Sequence, residues 1–294
     1  MTKTGNVVVC VAGLKGFAFV EGLLQKGAEL GSIVTYAQAD DQARSFDRLR
    51  ELAAHRSINL LETRHPTPRA EDLTFLVGWQ HLLTKVTPTT VVFHDSLLPR
   101  YRGFAPTVTA LIKGDHEIGV TALQPNDTVD EGPIISQRSR PIVYPIKIET
   151  ALTLQADLMK DLAIDIIDQW RRNQLSAAPQ RDDFATYSIW RDEADYEIDW
   201  SSDAQAIQRF INAVGYPYSG ARTTVGATDA IRVLDATVLP EMCFEVRDPG
   251  KIWRFDHGRP IIVCGVGMIR VDKWRREDGS EFAFERLRRR LGRA

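Results

Sequence analysis

The stretch Val91-Val92-Phe93-His94-Asp95-Ser96-Leu97-Leu98-Pro99-Arg100-Tyr101-Arg102-Gly103 decides the reading of this chain. An apolar run ends in a histidine, a small polar pair follows, and a proline-stopped turn comes next. A strand buried in a parallel sheet ends in this way, with polar groups at its carboxyl end. Ligands of open α/β sheets bind outside the carboxyl ends of the strands, so His94 stands where chemistry is expected. A second segment, Gly119-Val120-Thr121 through Asp130-Glu131-Gly132-Pro133-Ile134, brings a carboxylate, Asp130, past another short apolar run.

Towards the amino end, Val7 to Ala12 is a continuous apolar run, read as a strand buried on both faces. Gly13-Leu14-Lys15-Gly16 follows, and Phe17, Phe19, Val20, Leu23 and Leu24 then recur at helical spacing. This is a strand-to-helix turn; a full Gly-x-Gly-x-x-Gly fingerprint is missing. Ser32 to Tyr36 and Ile58 to Leu61 read as strands on either side of a charged amphipathic helix, Asp40 to His55. Leu73 to Gly78 is a further strand, after which Leu82-Leu83 begins a short turn or helix. Strands alternating with helices imply a parallel sheet.

Towards the carboxyl end, Thr107 to Lys113 reads as a short helix. Two strands, Gly119 to Leu123 and Ile134 to Arg138, bracket the Asp130 loop, and Ala151 to Trp170 forms a long amphipathic helix. Asn173 to Asp183 is polar and reads as a linker. Asp203 caps a helix from about Ala204 to Val214. From Ala221 the pattern changes to short β runs: Ala230 to Leu234, Cys243 to Val246, Lys251 to Phe255, Pro260 to Cys264 and Met268 to Val271. Their spacing suggests a small antiparallel sheet or barrel. Phe282 to Leu291 is expected to form a terminal basic helix.

The chain has 294 residues, room for two domains of ordinary size, and 44 % apolar residues, enough for a sizeable core. A net charge of -2 provides no global attraction to nucleic acid or to an anionic membrane. Cys10, Cys243 and Cys264 lie far apart in apolar runs and are expected in the core, with no pair spacing for zinc or redox work. No apolar stretch approaches the roughly 18 residues of a membrane span. No basic-then-apolar leader precedes the first strand, so a cytoplasmic protein is expected.

A histidine held by a carboxylate transfers protons near neutral pH, because imidazole titrates there and the carboxylate supports its charge. Read alone, His94 is a hydrogen-bonded strand-end histidine and Asp130 a turn residue; their joint occurrence carries the argument. His94-x-Ser96-Leu97-Leu98-Pro99-x-Tyr101-Arg102-Gly103, then Gly119-Val120-Thr121, then Asp130-x-Gly132-Pro133-Ile134, resembles the folate-dependent formyltransferase family. That family includes the methionyl-tRNA, glycinamide-ribonucleotide and nucleotide-sugar formyltransferases. Ile198-Asp199-Trp200, Ser219-Gly220-Ala221 and the β-rich end resemble the later part of its two-domain members.

The resemblance implies a Rossmann-like α/β domain over residues 1–180, a linker with a helix over 181–220, and a small β-rich, OB-like barrel domain over 221–294. It implies transfer of a formyl group from 10-formyltetrahydrofolate to an amine. His94 would donate to the developing oxyanion or shuttle a proton, and Asp130 would hold His94 and help remove the amine proton. The family's third catalytic residue, an asparagine two positions before the histidine, is Val92 here. Losing one oxyanion donor costs about 3–4 kcal/mol, and Gln80, His81, Ser96, Gln124 and Asn126 are the candidate substitutes.

By the same resemblance the cofactor pocket is made by Trp79, Gln80, His81, Leu82 and Leu83, by Ser96, Leu97 and Leu98, and by Asn126 in the loop before Asp130. No metal is implied. Tyr101, Arg102 and Gly103 would touch the acceptor. Val77 to Leu83 and Tyr187 to Trp200 look most like the nucleotide-sugar members, with Trp190 and Arg191 as candidate contacts to a base and a diphosphate. The competing acceptor is initiator tRNA, whose phosphates Arg286, Arg288, Arg289, Arg290 and Arg293 could meet. A third reading is a folate- or nucleotide-binding protein without formyl transfer, motivated by Val92. Two-domain sugar members form dimers through the later domain; Ile261-Ile262-Val263 is either such a homodimer strand or part of the barrel interior.

Overall fold

A computed structural model describes residues 5–39, 41–226, 229–284 and 286–292. The chain divides into two compact units. The first comprises Met1–Thr107, Glu117–Ile142 and Thr150–Ile189, and the second Val108–His116, Val143–Glu149 and Trp190–Ala294. The stretch 181–220, read from sequence as a linker, is thus divided between them.

The first unit is built on seven strands: β1 (Val7–Val11), β2 (Ser32–Thr35), β3 (Asn59–Glu62), β4 (Leu73–Val77), β5 (Thr90–His94) and, beyond a short β6 (Arg102–Gly103), β7 (Glu117–Leu123) and β8 (Ile134–Pro141). Their order is β3-β2-β1-β4-β5-β7-β8. The first five run parallel, whereas β7 is antiparallel to β5 and β8 to β7. The sheet is therefore mixed, and not parallel throughout as the alternation implied. No helix lies between β7 and β8, so the chain returns directly as an antiparallel hairpin.

Alternate side chains along the strands divide between two faces. Val7, Val9, Val11, Phe75, Val91, Phe93 and Val120 face one core. It is completed by Phe19 and Leu23 of α1 (Gly13–Gln25) and Leu49 of α2 (Ser45–Arg56). Within α3 (Pro106–Lys113) and α4 (Ile148–Arg171), it is α4 that adds Leu158, Leu162, Ile166 and Trp170 to this core. The other face carries Cys10, Val34 and Leu76, with Val8, Val92, Trp79 and Leu83 against them, and none of these belongs to a helix. The β3–β4 connection, anchored by buried Pro66 and Pro68, runs beside a cleft of about 430 Å³ over this second face.

The helix expected from Asp40 begins at Ser45, and Asp40 lies outside the described residues. The Asp41 carboxylate accepts from the Phe46 amide at 2.9 Å, which turns Asp41 to Arg44 into the helix entry. No helix forms at Leu82-Leu83.

After β9 (Tyr187–Ser188), which pairs with β6, the second unit holds α5 (Ala204–Ala213) and five strands. As expected, Asp203 caps α5, accepting from the Ala206 amide at 2.8 Å. The strands are β10 (Ala221–Val225), β11 (Asp229–Leu239), β12 (Ile252–Asp256), β13 (Arg259–Val263) and β14 (Met268–Arg276), in the order β10-β11-β14-β13-β12, all antiparallel. Ile261, Ile262 and Val263 are buried within the chain itself, as the barrel-interior reading had it.

Two expectations fail here. The terminal segment is not a helix. It runs between the two edge strands: the Gly226 amide donates to the Arg290 carbonyl and the Leu291 amide to the Gly250 carbonyl. Edge strands leave unpaired peptide groups, and satisfying both edges at once outweighs the local helical spacing. The segment Cys243 to Val246 is not a strand, and Cys243 is exposed rather than buried. Arg247 and Glu241 pair across this loop, and Arg247 also donates to the Cys264 carbonyl at 2.9 Å, which fixes a loop rather than a ladder. Cys10 and Cys264 are in the core as expected.

Candidate active site

β5 delivers His94 to the rim of the sheet, buried to 7 % exposure. Val91 and Phe93 enter the helix-covered core, so Val92 and His94 point to the opposite face. The β7–β8 loop folds back over the end of β7 and brings Asp130 to the same place, with its Oδ1 3.3 Å from Nδ1 of His94. Oδ2 of Asp130 accepts from the Gly103 amide at 2.9 Å. Nε2 of His94 lies 2.8 Å from the Tyr101 carbonyl. A carbonyl and a carboxylate can only accept, so both ring nitrogens must carry hydrogen to satisfy them. The surroundings therefore select the imidazolium.

The titration follows. Burial is the largest influence on His94 and opposes its charge; the Asp130 carboxylate, the Asp95 charge and the Tyr101 carbonyl outweigh it and hold His94 above its ordinary value of 6.5. Burial likewise raises the Asp130 carboxyl, and the His94 ring, the Gly103 amide and the Arg102 charge outweigh that, leaving Asp130 below its ordinary 3.8. A raised histidine stabilises the fold fully below its unfolded value and loses this as pH rises through the folded value. A lowered carboxylate stabilises it above its unfolded value and loses this as pH falls through the folded one. The dyad's contribution is therefore full between the two ordinary values, 3.8 and 6.5, and declines outside them. Replacing His94 by glutamine is expected to flatten the alkaline decline in thermal midpoint against pH; an unchanged profile would show that the dyad does not contribute.

The loop that carries Asp130 is held by named contacts. The Gln180 amide donates to the Asp130 and Gly132 carbonyls at 2.7 and 2.9 Å. Arg102, at 3 % exposure, donates to Gln180, Glu131 and Asp182. Its guanidinium thus holds these partners and organises the loop that carries Asp130. Gly103 serves by its amide, and Tyr101, with φ of +60, turns its carbonyl to His94.

Other sequence candidates divide similarly. Ser96 is buried and donates to the Arg100 carbonyl at 2.5 Å, and Leu98 is buried with its amide on Thr121, so both hold the turn. Leu97 packs against the open side of Gly119. Asn126 is exposed, and its side chain accepts from the Thr128 amide at 3.1 Å. Gln124 donates to the Pro88 carbonyl.

Trp79, His81 and Leu83 do come together on the helix-free face. Trp79 and His81 contact Tyr36 edge-on at 5.1 and 4.7 Å, and Leu83 joins Val92 on the apolar floor. Gln80 is exposed, and Leu82, at 79 % exposure, points away. Nε1 of Trp79 is buried with no acceptor among the described residues. A buried donor without a partner on an apolar wall suits the acceptor edge of a flat heterocycle. Trp190 and Arg191 belong to the second unit, where Trp190 is 59 % exposed and Nε of Arg191 is buried. No cluster of three or more metal-ligating side chains is found among the described residues. No described helix is long and apolar enough to cross a membrane.

Sequence reasoning missed Lys15, whose ammonium pairs with Asp95 beside His94, and Gln180, which pins the Asp130 loop. Neither stands in a motif that marks it.

Comparison with known proteins agrees with this geometry. Residues 44–161 match the model of the formyl transferase family and residues 191–290 that of the formyl transferase C-terminal domain. The methionyl-tRNA formyltransferase of Bartonella bacilliformis is 27 % identical over 268 residues, 88 % of this chain and 79 % of that protein. The N-formyltransferase from Helicobacter canadensis, solved with folinic acid and dTDP-3-aminofucose, has the same fold (TM-score 0.65, 14 % identity, 92 % of this chain and all of that one). HypX from Aquifex aeolicus also shares it (TM-score 0.61, 14 % identity, 93 % of this chain), though this chain spans only 46 % of that larger protein. With these two family matches together spanning most of its length, the chain belongs to the formyl transferase family.

Proposed function

We propose that this protein moves a formyl group from 10-formyltetrahydrofolate to the amine of a nucleotide-linked amino sugar. The observation that carries the reading is the pairing of His94 and Asp130, brought together from separate segments and buried on one face of the sheet. The folate supplies an activated formyl carbon when bound. Trp79, His81 and Leu83 form the wall that suits its heterocycle, with the unpartnered Trp79 Nε1 as a donor. An incoming amine nitrogen would bond to the formyl carbon, with an oxyanion developing on the carbonyl oxygen, and as the bond from that carbon to the folate nitrogen breaks the proton lost by the amine would pass by way of the His94–Asp130 pair to the departing nitrogen. His94 Nε2 leaves the Tyr101 carbonyl to hold or protonate the oxyanion, and Asp130 keeps Nδ1 protonated and balances the ring's charge. Val92 sits among Cys10, Val34 and Leu76 and offers the oxyanion no hydrogen bond.

In this reading residues 1–180 carry the chemistry, 181–220 include the acceptor contacts Trp190 and Arg191, and 221–294 form the accessory β-rich part. A nucleotide sugar is favoured by the fold neighbour solved with dTDP-3-aminofucose. Of the terminal arginines, Arg289 and Arg290 pair with Asp229 and Asp248, Arg286 and Arg288 are exposed, and Arg293 lies outside the described residues.

Initiator tRNA is the second reading, favoured by the sequence relative named methionyl-tRNA formyltransferase. The test is to offer 10-formyltetrahydrofolate with a panel of nucleoside-diphosphate amino sugars and, separately, with methionyl-tRNA. Folate-dependent mass gain of one formyl group on a sugar is expected. Formylation of the tRNA with none on the sugars would move the function to the second reading, and no product from either would overturn both.

A further inference from the structure

A buried ion pair lies beside the dyad. Lys15, in the first turn of α1, is 10 % exposed, and its ammonium meets the Asp95 carboxylate. In the sheet β4 stands between β1 and β5, so Lys15 must reach across the end of β4 to touch a residue following β5. Gly78, which follows β4, lies in ordinary contact distance of this side chain. Its φ is +62, and a Cβ there would lie 2.8 Å from the Ala12 carbonyl and 3.8 Å from Cε of Lys15. The Asp95 carbonyl is fixed by Gln155 at 3.0 Å, while its Oδ1 is buried without a partner. Two charges out of water cost several kcal/mol each, and a well-packed apolar pair of the same size is often as stable or more so. Stability alone is therefore a poor reason for this pair, whereas its neighbour in the chain is His94.

We propose that Lys15 is a positioning residue of this site, whose ammonium offsets part of the Asp95 charge and leaves Asp130 as the dominant carboxylate acting on His94. This rests on the reading of His94 as the proton-handling residue. The charged groups around the ring are Asp130 from the β7–β8 loop, Asp95 beside it and Lys15 from α1. Arg102 acts on Asp130 and is itself balanced by Glu131 and Asp182. With Lys15 in place the Asp95 charge is partly offset and Asp130 dominates the ring's surroundings. Without it a second negative charge would hold the proton on the ring.

The test is a double-substitution cycle read by NMR titration of the His94 ring in the full chain, which needs no substrate. Asp95→Asn leaves Lys15 unbalanced and is expected to lower the midpoint by about one pH unit. Lys15→Met is expected to raise it by a similar amount, Lys15→Arg to restore it, and the double variant to return to the parent value. If Lys15→Met does not fold, Lys15→Gln carries the test in its place. An unchanged midpoint in a folded Lys15→Met or Lys15→Gln variant would overturn the proposal. The titration is independent of turnover, so absence of formyl transfer on every acceptor would sink the functional reading while leaving this electrostatic result standing.

Discussion

Asp130→Asn is expected to lower turnover by about a thousandfold while leaving the fold intact. The substitution keeps shape and size. The asparagine carbonyl still accepts from the Gly103 amide, as Oδ2 of Asp130 does at 2.9 Å. Its NH2 then faces Nδ1 of His94, where the carboxylate stood at 3.3 Å. A donor at that position requires Nδ1 to accept, so the ring becomes neutral with its one hydrogen on Nε2, aimed at the Tyr101 carbonyl. Burial, the largest influence on His94, is then no longer outweighed by the carboxylate, and the ring's pKa falls. The imidazolium that answers a developing negative charge is depopulated at neutral pH. Single-turnover rates and a His94 NMR titration check this together. A variant within tenfold of the parent rate, or an unshifted ring midpoint, would show that the dyad is structural.

The limits of sequence reading follow from the same residues. The end of β5 was legible because its apolar run and polar stop are local in the chain. The meeting of His94 and Asp130 became legible only through the joint order of three motifs, since nothing in either segment alone specifies a partner. Lys15 was hidden because its partner depends on strand order: β4, late in sequence, inserts beside β1 and places the ends of β1 and β5 within reach of one side chain. Arg102, Ser96 and Leu98 were assigned ligand roles by the resemblance alone; their burial and their partners within the protein depend on contacts that no local pattern marks. The terminal segment was misread for another reason. Phe284, Leu287 and Leu291 fit one helix face, but Phe284 packs on Phe282 at 5.0 Å and the Phe282 carbonyl accepts from Trp274. Two open sheet edges, invisible in a linear pattern, then decided the path of Arg290 and Leu291.

Gly132→Ala is expected to be the most damaging small substitution at the site. A Cβ on residue 132 would fall 1.7 Å from the Gln124 carbonyl oxygen and 2.9 Å from its carbon, both backbone atoms at the two ends of one loop. Neither can rotate away as a side chain would. The contact is made because the Gln124 amide donates to the Pro133 carbonyl at 2.9 Å, closing the loop on itself. Relief requires the loop to open, which also loosens the Gln180 bonds to the Asp130 and Gly132 carbonyls. Overpacking against backbone and loss of these bonds together cost on the order of 3–5 kcal/mol. A fall in thermal midpoint of roughly 5–10 °C is expected from that cost. Turnover should fall by about a hundredfold, the cost of a displacement near 1 Å at a reacting group, because the whole carboxylate moves. Gly215→Ala is the control, since its Cβ would meet only an ordinary contact at 3.4 Å to the Ile211 carbonyl. If Gly132→Ala retained both the parent midpoint and the parent rate, the close approach that holds Asp130 against His94 would have no energetic consequence, and the loop's role in forming the dyad would have to be abandoned.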